Sequence, residues 1–217
     1  MRIKTVLRAA AREFDYVIVG AGSAGCVLAS RLALSKNADS GKFNRVLLLE
    51  AGNDNSNYLP IHVPCGYLHT INNPHTDWRF KTGPDEGIAG RTLAYPRGKG
   101  LGGCSAINGM IYMRGQAEDY DGWAESSGDE RWRWEHMLRR FKNHENYGVH
   151  NLNPHMHGTE GPWTVEQAPV SWSVLDIFAE ALTQSEGTPR SSDFNTGSNH
   201  GVGLFDVNQR GGLRLNA

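Results

Sequence analysis

Directly behind a run of strand-forming residues, the stretch VIVGAGSAG at residues 17–25 places three glycines, Gly20, Gly22 and Gly25. Glycine weakens strand and helix interiors, so such a cluster marks a backbone that turns sharply or approaches another group closely. Tyr16, Val17, Ile18 and Val19 form a continuous apolar run, the pattern of a parallel strand buried on both faces. Beyond the glycines, Ala24, Leu28 and Leu32 recur at helical spacing, with Cys26, Ala29 and Ala33 on an adjacent stripe. Strand, glycine turn and helix are the context that gives a GxGxxG pattern meaning. Gly20 is then expected to make the turn, Gly22 to admit a pyrophosphate to backbone amides at the helix N-terminus, and Gly25 to seat the helix on the strand.

A hydrophilic connection, SKNADSGKFN, leads to a second strand, RVLLLEAG, that ends on Glu50. A carboxylate there accepts hydrogen bonds from an adenosine ribose and repels a 2'-phosphate. The segment reads as the adenosine half of a dinucleotide site, which NAD and FAD share.

The rest of the composition narrows the class. The chain has 217 residues, 39% hydrophobic and 21% charged, with a formal net charge of -1. That balance describes a soluble globular protein and gives no electrostatic footprint for nucleic acid or an anionic membrane. Cys26, Cys65 and Cys104 are odd in number and form no CxxC, so neither a disulfide framework nor a zinc site is indicated, and a cytoplasmic, reducing location fits. No apolar run reaches the length of a membrane span. Residues 1–13 read as a basic N-terminal tail, for which an organellar presequence is the alternative.

A second glycine cluster, YPRGKGLGGCSAINGMIYMRG, holds Gly98, Gly100, Gly102, Gly103 and Gly109. It lacks the spacing of a nucleoside-triphosphate P-loop. Leu101, Ile107, Met110, Ile111 and Met113 are interleaved with the glycines, as expected of a backbone pressed against a flat ligand and anchored in a core rather than of a solvated loop.

With this segment the chain resembles the glucose-methanol-choline (GMC) family of flavoprotein oxidoreductases. DYVIVGAGSAG, VLLLEAG, TDWRFKT, PRGKGLGGCSAINGMIYMRG, DYDGW, HGTEGPW, SDFN and VNQRGGLR carry the likeness almost from end to end. Cys104 stands where the family usually has Ser, Thr or Gly. The resemblance implies an α/β, Rossmann-like FAD-binding domain, a parallel sheet with flanking helices, followed by the start of a substrate-binding domain. It divides the chain into the tail (1–13), the N-terminal part of the FAD-binding domain (14–150) and an incomplete, truncated substrate-binding region (151–217). Cofactor contacts are expected at Gly20, Gly22, Ser23, Ala24, Gly25, Glu50 and Ala51 for the ADP half. Gly98, Gly100, Gly102, Gly103, Ser105, Asn108, Gly109, Met110 and Ile111 are expected to contribute the rest. Some relatives attach flavin through a histidine just before the asparagine; Ile107 occupies that position, so FAD is expected to be non-covalent.

The family oxidises a small-molecule alcohol with a histidine base that lies far along a longer chain. None of the nine histidines matches that motif, so no catalytic residue is assigned, and the 217 residues by themselves are expected to bind FAD weakly if at all and not to turn over alcohol. The alternatives are a light-driven fatty-acid decarboxylase on the same scaffold, a non-catalytic flavin-binding remnant and, least of all, a nicotinamide dehydrogenase. His144, His150, His155 and His157 match no metal-ligand spacing and read as an exposed loop. Trp134, Met137, Leu138 and Phe141, and likewise Val174, Ile177, Phe178 and Ala181, fall at the spacing of helix core faces. Trp78 either approaches the flavin or packs internally. The run Arg131, Trp132, Arg133, Trp134 is too short, in a neutral protein, for a nucleic-acid platform.

Overall fold

The computed structural model describes residues 13–148, 153–169 and 171–217. In chain order the elements are β1 (Tyr16–Val19), α1 (Ser23–Ala33), β2 (Val46–Leu49), α2 (Leu59–His62), β3 (Phe80–Lys81), β4 (Ala94–Tyr95) and β5 (Ile111–Tyr112). There follow α3 (Ala117–Ser127), α4 (Trp134–His144), β6 (Glu145–Tyr147), β7 (Trp163–Gln167), α5 (Ser173–Glu186), β8 (Asp206–Val207), β9 (Gln209–Arg210) and β10 (Leu213–Arg214). Nearly all of the 1–13 tail, and His150, lie outside the described residues. No helix among the described residues is long and apolar enough to cross a membrane.

The chain forms two compact units. One comprises the described part of Met1–Ile61 with Cys65–Asn108 and Asn216–Ala217; the other comprises His62–Pro64 with Gly109–Leu215. By compactness the main division of the chain falls between residues 108 and 109.

In the first unit β1 and β2 pair in parallel, Tyr16 opposite Val46 through Val19 opposite Leu49, with α1 as the crossover. This is the βαβ start that the glycine motif predicts. The strands are not buried on both faces, however: Val17 is 56% and Val19 83% exposed, and α1 has no buried residue. The parallel sheet has only two strands among the described residues, and two strands with one helix cannot cover both faces of the sheet. The core of this unit is Ile61, Ala106 and Ile107 with Tyr58 packed against them.

The second unit carries a mixed four-stranded sheet in the order β5-β8-β7-β6, antiparallel except for the β6–β7 pair. Trp134, Met137, Leu138 and Phe141 form the half-buried face of α4, as their spacing predicts. Trp134 and Phe141 lie 5.7 and 5.8 Å from the ring of Tyr120 on α3. On α5 the expectation fails. Val174, Ile177 and Phe178 are 61%, 67% and 59% exposed, and the buried residue is Ala179. Apolar residues cover most of that helix's circumference, so periodicity alone selects no single stripe. Arg131 and Arg133 pair with Asp129 and Glu130 beside the entrance to α4.

A polar cluster occupies the interior of the second unit. Arg114 Nη2 lies 2.5 Å from Glu145 Oε1, both side chains being almost wholly buried. Glu145 also accepts from the Tyr112 hydroxyl at 2.8 Å and the Gly158 amide at 2.8 Å. The His157 ring stands between two carboxylates, with Nδ1 at 3.2 Å from Glu145 and Nε2 at 2.8 Å from Asp193. His157 is therefore interior rather than part of an exposed loop, as the sequence suggested; burial disfavours its charge, but the two carboxylates outweigh that and raise its pKa. His155 is exposed, and His144 ends α4, stacked 5.6 Å from Trp163. Among the described residues no group of three or more His, Cys, Asp or Glu could hold a metal ion.

Candidate functional site

The first unit contains a cleft of about 900 Å³ at the C-terminal ends of β1 and β2. Its lining includes nine of the residues singled out from the sequence: Gly20, Gly22, Ser23, Ala24, Gly25, Glu50, Ala51, Gly98 and Gly103. Val19, Leu49, Trp78, Phe80, Arg97 and Cys104 complete it.

The β1–α1 turn has the geometry its glycines imply. Gly20 adopts φ +99°, a region that residues with a Cβ rarely enter. At Gly25 an added Cβ would lie 1.9 Å from the Gly20 carbonyl oxygen, so the helix packs on the turn at a distance only glycine allows. Gly22 is the N-cap of α1 in extended conformation; no side chain caps the helix, and its first turn holds no acid. An uncapped helix N-terminus opening into a cleft offers backbone N–H groups and a partial positive charge to an anion.

The two glycine clusters, distant in sequence, pack backbone to backbone within this unit. The Gly102 amide donates to the Ala21 carbonyl at 2.8 Å, and a Cβ on Gly103 would lie 2.8 Å from Gly22 Cα. A Cβ on Gly52 would lie 2.2 Å from the Gly100 nitrogen. Glu50 stands at the junction. Its Oε2 accepts from the Ala21 amide at 2.8 Å, and its Oε1 accepts from the Gly52 and Gly100 amides at 2.9 and 3.0 Å. Burial opposes its charge, but these backbone amides, together with that of Ala51, outweigh burial and hold its pKa below the usual 4.5.

Of the other predicted residues, Ser105 is buried and its hydroxyl donates to the Gly102 carbonyl at 2.7 Å, bracing the loop from behind. Asn108 is exposed, with its amide bonded to the Cys104 carbonyl at 3.0 Å. Gly109, Met110 and Ile111 belong to the second unit: Met110 is buried with φ +65°, its carbonyl accepts from the Asn208 amide, and Ile111 pairs with Val207. Ile107, at the position of the flavin-linking histidine in some relatives, is 4% exposed in the apolar core.

The aromatic wall was only partly foreseen. Trp78 and Phe80 stack in parallel, ring centroids 5.9 Å apart, and Lys99 Nζ lies 4.9 Å from the Trp78 ring. Asp77 organises this wall: Oδ1 accepts from the Arg79 and Arg97 amides at 2.8 and 2.9 Å, and Oδ2 from the Asn72 amide at 2.8 Å. Two aromatic residues two apart in TDWRF were the available signal, although β3 begins only at Phe80 and Arg79 adopts φ +56°, so it is not strand alternation that brings the rings together. Nothing local marked Arg97 or Asp77. No histidine lines the cleft.

The sequence profile described as GMC oxidoreductase matches residues 14–216. The chain belongs to the GMC oxidoreductase family. Within that family it is 42% identical to an alcohol dehydrogenase [acceptor] of Pseudomonas putida over 208 residues, covering 93% of this chain and 35% of the relative. It is 37% identical to an oxygen-dependent choline dehydrogenase of Staphylococcus aureus, with 95% and 35% covered. Among solved structures it matches pyridoxine 4-oxidase from Mesorbium loti with a TM-score of 0.81 at 34% identity, covering 94% of this chain and 38% of that one. A formate oxidase matches with a TM-score of 0.78 at 29% identity. The chain thus spans 35% of the length of the two dehydrogenases, and its GMC assignment concerns the N-terminal part of the family fold.

Proposed function

We propose that the cleft of the first unit holds the ADP portion of a non-covalent FAD, and that the chain is the FAD-binding portion of a GMC oxidoreductase that oxidises a small-molecule alcohol. The observation that carries this reading is the meeting of both glycine clusters, Glu50 and the uncapped N-terminus of α1 around one cleft. The alcohol and choline dehydrogenases among the relatives support the substrate class.

The residues present fit such a cofactor. Amides at the start of α1 would hold the pyrophosphate without a competing side-chain cap or acid, its negative charge meeting the positive end of the helix. Gly22 leaves room for close approach, since a Cβ there would meet nothing nearer than 3.9 Å. The Glu50 carboxylate would face the ribose and would repel a 2'-phosphate. Trp78 and Phe80 offer an apolar wall on one side of the cleft. When bound, FAD supplies the acceptor for the hydride removed from the alcohol carbon; the proton on the alcohol oxygen needs a base, and the cleft lining holds no histidine for that task.

The test is titration of the 217-residue chain with FAD, followed by flavin fluorescence anisotropy and calorimetry, with NADP+ as the control. Saturable FAD binding that ADP competes away, with NADP+ at least tenfold weaker, is the expected result. Equal binding of NADP+ and FAD, or no competition by ADP, overturns the reading.

A further inference from the structure

Three segments remote in sequence, at Ala21, Gly52 and Gly100, converge on the two oxygens of one carboxylate, that of Glu50. A carboxylate has about four acceptor positions, two on each oxygen. Oε1 already accepts two amides and Oε2 one. The amides are held there by more than the carboxylate. Ala21 is wholly buried, and its carbonyl takes the Gly102 amide at 2.8 Å. Gly52 and Gly100 approach so closely that a Cβ on Gly52 would overlap the Gly100 nitrogen.

We infer that Glu50 is first a positioning residue, which fixes the two glycine clusters in register before any ligand arrives and keeps at most one acceptor position for a ribose hydroxyl. This deepens the reading of the cleft as an ADP site and rests on it only for the ligand. The physical reason is preorganisation: hydrogen bonds from neutral amides to a charged acceptor are about twice as strong as neutral ones, and three of them hold the loops against the entropy of two glycine-rich segments. A free carboxylate would grip both ribose hydroxyls; one engaged in this way grips one.

Two measurements on the 217-residue chain test the inference separately from the FAD reading. In the ligand-free chain, the backbone amide shifts of Ala21, Gly52 and Gly100 are followed by NMR from pH 7 downward. They are expected to titrate together with a single midpoint below 4.5. Separate midpoints, or amides that do not move, overturn the clasp even if FAD binds, and a shared midpoint upholds it even if FAD does not bind. Hydrogen exchange at Ala21 and Gly100 in Glu50→Gln is expected to be about tenfold faster or more, because an amide group cannot accept on both of its termini; unchanged exchange overturns the inference. In the ligand arm ADP is compared with 2'-deoxy-ADP and 3'-deoxy-ADP. Only one deoxy analogue is expected to lose affinity, by about tenfold; equal losses for both overturn the single remaining acceptor.

Discussion

Replacing Arg114 with methionine keeps most of the side-chain volume while removing the guanidinium from the interior of the second unit. The wild-type group touches the Glu145 carboxylate at 2.5 Å and donates to the carbonyls of Met156 at 3.0 Å and Asn195 at 2.8 Å, with only 1% of its side chain exposed. Its loss leaves Glu145, 0% exposed at the side chain, with its charge facing only the Tyr112 hydroxyl, the Gly158 amide and the His157 ring. Breaking a buried pair from one side costs about 3–5 kcal/mol, because the surviving charge stays desolvated. For a chain of this size each kcal/mol moves Tm by about 2–4 °C, so the variant is expected to melt roughly 6–20 °C lower at pH 7 by circular dichroism. Since the cost arises from the orphaned charge, adding Glu145→Gln should recover part of it. The double-mutant cycle is expected to show a coupling of about 1–3 kcal/mol. A single variant less than about 1 kcal/mol destabilised, or strict additivity, would refute the assignment of this pair to a desolvated ionic core.

Other perturbations probe other parts of the molecule. The raised pKa of His157 means that its stabilising contribution is complete below the usual 6.5 and is lost as pH rises through the higher native value; urea unfolding at stepped pH should show that loss in the wild type, and His157→Gln should abolish it. Asp193 and Glu145 have lowered values, for which burial is outweighed by hydrogen bonds from His157 and neighbouring donors. Their contribution is present above 3.8 and 4.5 and disappears as pH falls through the depressed native values, so acid should destabilise the second unit, and His157→Gln should weaken that effect because His157 supplies part of both shifts. Gly52→Ala would place a Cβ 2.2 Å from the Gly100 nitrogen, and FAD affinity by fluorescence anisotropy is expected to fall at least tenfold; unchanged affinity would show that the two loops need not meet. Asp77→Ala removes the acceptor for three backbone amides beside Trp78 and is expected to cost about 1–3 kcal/mol in chemical denaturation.

What was legible in the sequence is what neighbouring residues settle among themselves. The order of β1, glycine turn, α1 and β2 follows from an apolar run, three glycines at fixed spacing and a helical stripe, because each conformation is dictated within a few residues. Gly20 at φ +99° and Gly25 against the Gly20 carbonyl bear out that local logic. Glu50 was legible as an acid at the end of a strand, and its bond from the Gly52 amide is local, but its other two amide partners, Ala21 and Gly100, come from segments that only the folded chain brings together. The same holds for Arg114, Glu145 and His157, whose pairing spans 12 to 43 residues and carries no local pattern. On α5 the residues predicted a helix correctly and its buried face wrongly. An apolar side chain states a preference for leaving water, whereas the neighbour that covers it is supplied by packing across the whole chain.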